Sequence, residues 1–212
     1  GAIGHTGNST RTLTLGGTTA GNTFSQILGD GTGATSLVKL GVATWTLSGT
    51  NTYTASTTIS AGTLSISATA NLGGASNVIN LNGGALTFTG TTALSSARVI
   101  NVLASITINN ANSGGLTLTG NVTGPTAASA ATLTITGANA TNFTTGVIAD
   151  GSGAVLGLTQ NTTGTTTLSG TNTYTGSTTI SAGTLSIGAD ANLGTAPSTT
   201  TPGSLVLNGG AL

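Results

Sequence analysis

The side chains able to do chemistry are few. There is one imidazole, His5, and no thiol, so a zinc site built from His and Cys ligands is not available. A Ser-His-Asp arrangement would have to use His5, which lies away from any repeated feature and whose equivalent in the next copy is Pro125, so a surface or interface role is expected of it. The acids are Asp30, Asp150 and Asp190. Glycoside hydrolysis needs two carboxylates roughly 5–10 Å apart. Asp30 and Asp150 both open a turn-like sequence, Asp-Gly-Thr-Gly at 30–33 and Asp-Gly-Ser-Gly at 150–153. One carboxylate and turn carbonyls form a weak calcium candidate, because calcium takes about six to eight oxygens, usually from several acids. The plainer reading is that each aspartate caps its own turn. Trp45 could be a sugar platform or could pack on the coil end. Tyr53 and Tyr174 read as ladder or turn residues before ligand contacts. Sequons start at Asn8, Asn121, Asn139, Asn142 and Asn161. About six would arise by chance in a chain this rich in Ser and Thr, so they carry no signal.

Composition narrows the classes further. Of 212 residues, three are Lys or Arg, three are Asp or Glu, and the net charge is zero. Three scattered cations cannot displace the counterions of a nucleic acid, so no nucleic-acid partner is expected. Charged surface-helix formers are nearly missing. Gly, Thr, Ser and Asn number 35, 49, 21 and 18, more than half of the chain. No apolar run reaches the roughly 18 residues of a membrane helix. Residues 1–10 show neither an initiator Met nor a signal pattern, so a mature product or a fragment is expected.

Repeats decide the architecture. Residues 46–66 read TLSGTNTYTASTTISAGTLSI, and residues 167–187 repeat them except that Gly176 replaces Ala55. Downstream, Asn71-Leu72-Gly73 returns as Asn192-Leu193-Gly194, and LNGGAL at 81–86 returns at 207–212 after an insertion containing Pro197 and Pro202. Upstream, Asp30 maps to Asp150, Leu13-Thr14-Leu15 to Leu133-Thr134-Ile135, and His5 to Pro125. The unit is about 120 residues. Residues 1–130 are read as a first unit, with the tail of a preceding copy at 1–10, and 131–212 as a second, incomplete one. Together they make one continuous section of a longer tandem array.

Within each unit the signal is strand. Runs such as TLSI at 63–66, VINL at 78–81, ALTF at 85–88 and SITI at 105–108 alternate one aliphatic with one small polar residue. Gly and Asn punctuate them. An antiparallel sandwich would carry more aromatics and a charged outer face. A β-solenoid needs only a few core aliphatics per coil, and 44 Leu, Ile and Val residues give about four per coil of roughly 20 residues. Six coils per unit would rise about 29 Å, and the two motif copies should superpose after a translation along one axis plus some twist. Leu64, Ile66, Leu81, Leu86, Leu185, Ile187, Leu207 and Leu212 should point inward. Asn71, Asn82, Asn192 and Asn208 are expected to stack side-chain amides from coil to coil.

The stretch 45–66 and its partner at 167–187 resemble the autotransporter-associated β-strand repeat, also called the passenger-associated transport repeat. Leu47, Gly49, Asn51, Thr52, Tyr53, Thr54, Thr57, Ile59, Gly62, Thr63 and Leu64 match its pattern, as do the corresponding residues from Leu168 to Leu185. Ala55 departs from the family's Gly, which Gly176 keeps. The resemblance implies a right-handed parallel β-helix in a large exported passenger. It also implies an extracellular or cell-surface location on a Gram-negative-type bacterium, with an outer-membrane translocator barrel outside this chain. It brings no catalytic residues.

The expectation is therefore an all-β, right-handed parallel β-solenoid without catalytic or cofactor site. It would serve as a surface stalk or self-assembling fibre, with an adhesin that binds host or surface glycans as the alternative. Head-to-tail self-association is expected from open strand edges and near-zero charge. Ice binding by Thr rows is a lesser option. The pairs Thr12/Thr14, Thr87/Thr89, Thr117/Thr119 and Thr165/Thr167 are unevenly spaced in sequence, which argues against one flat array.

Overall fold

A computed structural model describes residues 2–3, 9–126, 129–143, 146–196 and 204–212. Branched residues and small polar residues alternate along short runs, and Gly or Asn breaks each run after a few residues. The runs become strands of two to seven residues, with two longer ones, Leu156–Leu168 and Thr178–Ile187, that bend round a corner. Every strand pairing among the described residues is parallel, and each joins one coil to the next.

The strands stack into three sides. Side one runs through Arg11–Leu15, Thr35–Lys39, Thr57–Ile59, Ile79–Leu81, Ile100–Val102, Val122–Thr123 and Ile148–Ala149. Side two runs through Asn22–Phe24, Thr44–Leu47, Thr63–Ile66, Ala85–Phe88, Ile106–Asn110 and Ala131–Gly137, then the first parts of the two bent strands, and ends at Leu205–Leu207. Side three begins at Ala2–Ile3 and Ile27–Leu28, crosses the motif near Tyr53, and continues through Leu94–Ser96, Leu116–Leu118, Thr141–Phe143 and the second parts of the bent strands. The chain is an all-β, parallel solenoid of about eight coils.

Inward residues form one continuous aliphatic core. Leu37, Ile59, Leu64, Ile66, Leu81, Leu86, Ile108, Leu133, Ile135, Leu185 and their neighbours are fully buried. Each side chain of this kind contributes about 1.5–3 kcal/mol by leaving water. Three inward expectations need correcting. Ile187 is only partly buried, and Leu207 and Leu212 are more than half exposed. Leu207 pairs with Ile180 below, but no later coil of this chain covers it, whereas its counterpart Leu81 lies between Ile59 and Val102.

The unit does not hold six coils. Pairings Leu13–Leu37, Leu37–Thr57, Thr57–Ile79, Ile79–Ile100 and Ile100–Val122 carry side one through five coils. The chain then advances one side before it reaches Leu133, the counterpart of Leu13. One unit is five coils and a third of a turn. The motif copies therefore lie on different sides, and translation along the axis must be joined by that third of a turn. Coil length varies too, from 19 residues between Thr44 and Thr63 to 27 between Ile106 and Leu133. The corners absorb the difference, so the ladders stay in step.

Candidate functional site

The repeated motif is where polar chemistry concentrates. Its spacing places Asn51 at the corner after Leu47 and Gly49, where the chain turns from side two to side three. Asn51 is buried. Its Oδ1 accepts from the Leu28 amide of the coil before at 2.7 Å, and its Nδ2 donates to the Asn71 carbonyl of the coil after at 2.5 Å. Asn71, buried in the 3-10 turn Thr69–Leu72, donates from Nδ2 to the Gly49 carbonyl at 2.9 Å. Its Oδ1 accepts from the Ser67 and Ala68 amides. Two asparagines thus clamp three coils. The second copy repeats the set. Asn172 accepts from the Ile148 amide at 2.8 Å and donates to the Asn192 carbonyl at 2.6 Å, and Asn192 donates to the Gly170 carbonyl at 2.9 Å. Backbone groups that a corner would leave unpaired and buried are satisfied in this way.

This differs from stacked amides. Asn71 and Asn192 bridge coils through backbone carbonyls, and Asn82 and Asn208 are exposed. A direct amide-to-amide bond joins Asn101 Nδ2 to Asn80 Oδ1 at 2.9 Å on side one, in a column the runs did not single out.

The aspartates act one corner further along, Asp30 after Ile27–Leu28 and Asp150 after Ile148–Ala149. Asp30 Oδ1 accepts from the Thr35 amide at 2.6 Å, which closes its turn, and from the Thr54 amide on the next coil at 3.2 Å. Its Oδ2 accepts from Thr54 Oγ1 at 2.6 Å. Burial opposes its charge, but these bonds prevail and hold the carboxyl below its ordinary value. Asp150 matches it, accepting from the Leu156 amide at 2.7 Å and from the Thr175 amide and Oγ1. Each weak calcium candidate thus spends its oxygens on its own turn and the following coil. The described residues bring no group of three acids or imidazoles together. Asp190 begins the 3-10 turn Asp190–Leu193 and is exposed. His5 lies outside the described residues, as do Pro197 and Pro202.

The aromatics are structural. Tyr53 and Tyr174 are buried, and each hydroxyl meets the threonine four residues on, Thr57 at 2.6 Å and Thr178 at 2.7 Å. Burial pushes the Tyr53 phenol up to about 12, while Thr57 and the Arg98 charge pull the other way. Burial also raises Tyr174, against its bond to Thr178. Trp45 packs partly buried on the core, and its indole N–H donates to the Gly16 carbonyl at 2.8 Å.

Sequence reasoning missed two cations. Lys39 faces inward between Leu15 and Ile59 and is fully buried. Its ammonium donates to the Leu40, Gly41 and Ala61 carbonyls at 2.7–3.0 Å, and burial lowers its pKa. The counterpart, Gln160, sits between Ile135 and Ile180, donating to the Thr184 carbonyl and accepting from Thr166 Oγ1. The alternation Leu37-Val38-Lys39 already pointed Lys39 inward. Arg98, also buried, donates from Nη2 to the Gly73 and Gly74 carbonyls at 2.7 and 2.9 Å. No signal in the sequence marked it.

Comparison with known proteins places the motif. Residues 37–66 and 158–187 match the family described as passenger-associated-transport-repeat. A stretch of 88 residues, 40% of this chain, is 42% identical to the "Adhesin BmaC autotransporter" of Brucella suis biovar 1 (strain 1330). The chain spans 2% of that protein's length. No solved structure gives a significant match.

Proposed function

We propose that this chain, which carries two passenger-associated transport repeats, is a non-catalytic section of an autotransporter passenger that serves as a rigid stalk on the surface of a Gram-negative bacterium. One observation carries the reading. The polar groups of both motif copies turn onto neighbouring coils and bond them together, where a catalytic or ligand site would gather them around a cavity. The similarity to a named adhesin supports adhesion as the work of the whole passenger, with this section as its spacer. Deleting one unit of about 120 residues from the parent should shorten the rod by about 26 Å, five and a third coils at about 4.8 Å each, with target binding kept. Loss of target binding with secretion intact would assign adhesion to this section instead.

Head-to-tail stacking of copies is a further proposal. It rests on zero net charge and on ladders that pass from coil to coil through backbone bonds another copy would also supply. Sedimentation of the parent across a range of concentration separates fibre from single stalk.

A second reading, ice binding, has one specific observation in its favour. On side two, Thr44, Thr63, Ala85, Thr107, Thr134, Thr159, Thr179 and Val206 form one outward file. Thr46, Ser65, Thr87, Asn109, Thr136 and Asn161 form a second beside it. Uneven sequence spacing does not prevent a regular array, because the corners take up the unequal coil lengths. The four Thr pairs noted in the sequence are scattered over three sides. Thermal hysteresis that Thr134→Lys plus Thr159→Lys abolishes would favour this reading, and its absence in the native chain would end it.

A further inference from the structure

Among the described residues, two buried side-chain polar atoms have no hydrogen-bond partner, Asn77 Oδ1 and Arg98 Nε. Both side chains are more than nine-tenths buried, at 2% and 5% exposure. An unmet buried donor or acceptor costs about 1–3 kcal/mol, so two in one place call for a cause.

They border the same two glycines. Asn77 Oδ1 lies 3.2 Å from where a Cβ on Gly74 would stand. Arg98 Nη2 donates to the carbonyls of Gly73 and Gly74, and Nε shares its guanidinium plane. Turning the Asn77 amide over does not resolve the pair. Its Nδ2 donates to the Tyr53 carbonyl at 2.8 Å and to the Leu72 carbonyl at 3.3 Å, and an oxygen in that place would face two acceptors. A third body beside Gly74 would resolve it, and the two atoms specify its chemistry. One is an N–H, which an anion or a carbonyl would satisfy. The other is an amide oxygen, which only a donor satisfies. A bare anion repels the amide oxygen, and a cation repels the guanidinium. A small molecule that both accepts and donates fits both.

We infer that one ordered water is bound here, accepting from Arg98 Nε and donating to Asn77 Oδ1. Its second proton would go to the Gly73 carbonyl of the same cluster, since the Gly74 carbonyl already accepts from Arg98 Nη2 and the Asn77 backbone amide; that would make the three bonds usual for a buried water. The water completes a polar lock across three coils. Asn77 reaches the Tyr53 coil, Arg98 arrives from the coil after, and the water ties the two side chains together. The second copy differs at the glycine. Thr195 stands where Gly74 stands, and its side chain donates to the Thr173 carbonyl in place of leaving room.

The first test is a crystal structure of the chain at a resolution that resolves ordered solvent. Density for one fully occupied water within hydrogen-bond distance of both atoms is expected. An empty site, a direct bond from Arg98 Nε to a protein oxygen, or an anomalous peak marking chloride would overturn the inference. The second test keeps the fold and removes the room. In Gly74→Thr, which installs the second copy's own residue, the water should be gone and the nuclear Overhauser contact between solvent and the Gly74 region lost. In Arg98→Lys, which keeps the charge and drops Nε, that contact should weaken while circular dichroism stays unchanged. A contact of native strength in both variants would place the water elsewhere.

Discussion

The two motif copies are a comparison the molecule makes with itself. Residues 46–66 and 167–187 differ at one position and lie on different sides of the solenoid, against different neighbours. Asn51 takes its amide from Leu28, Asn172 from Ile148. The bonds are nevertheless the same, down to the tyrosine hydroxyl on the threonine four residues later. The motif therefore reads the backbone of the coils on either side, which every coil supplies alike, and one aspartate of the coil beneath, Asp30 or Asp150, which both units supply. Where the copies diverge, the partners are side chains that the motif does not carry. Lys39 corresponds to Gln160, Gly74 to Thr195, and Trp45 to Thr166.

The largest effect should come from the glycine both copies need. Gly62 and Gly183 have φ of +64° and +63°. A Cβ on Gly62 would stand 2.5 Å from the Gly41 carbonyl oxygen and 2.6 Å from that of Ala43, and on Gly183 it would press on the Thr162 and Gly164 oxygens. Gly62→Val and Gly183→Val should each cost about 3–5 kcal/mol in a urea melt. A harmless substitution in either copy would break the equivalence.

Next comes the clamp. Asn51→Ala and Asn172→Ala each leave a buried amide and a buried carbonyl unpaired, and each should cost about 2–4 kcal/mol. Values that agree within about 1 kcal/mol would sharpen the claim that the motif is indifferent to its side. A wider gap would show that neighbouring side chains contribute.

Alkali should separate the copies more gently. The Tyr53 phenol ionises at about 12 in the folded chain against 10.0 without its surroundings. Its contribution is complete below pH 10 and is lost as pH rises from 10 towards 12, because the unfolded chain releases its proton first. Phenolate absorbance should follow the loss of circular dichroism in that window. Arg98 pulls the Tyr53 value down, so Arg98→Met should raise it further and leave Tyr174 unmoved.

The smallest effect is Lys39→Gln, which copies the second unit into the first. Burial lowers the lysine's pKa, so its charge carries a penalty at neutral pH that three carbonyls only partly offset. The change should leave stability within about 1 kcal/mol of the native value, on the stabilising side. A large loss would mean that the ammonium holds that corner in a way Gln160 does not at its own.

Local chemistry written in the chain settled the strands and the core. The alternation at 63–66 and 85–88 put Leu64, Ile66 and Leu86 inside, because a pleated strand sends successive side chains to opposite faces whatever lies beside it. The repeat at 46–66 and 167–187 was legible as letters, and with it the recurrence of Asp30 at Asp150. How the coils meet was decided by tertiary structure alone. The third of a turn between units depends on corner lengths, and a corner of Gly, Ser and Asn gives no periodic sign of how many residues it consumes. The same freedom gathered Thr44, Thr63, Thr107, Thr134, Thr159 and Thr179 into one file from uneven positions. It also made Asn51, a matched motif residue in the sequence, a clamp between coils. An asparagine's preference for turns is a property of its own backbone, but the amide and carbonyl it joins belong to coils more than 20 residues before it and 20 residues after, which only stacking brings within 3 Å.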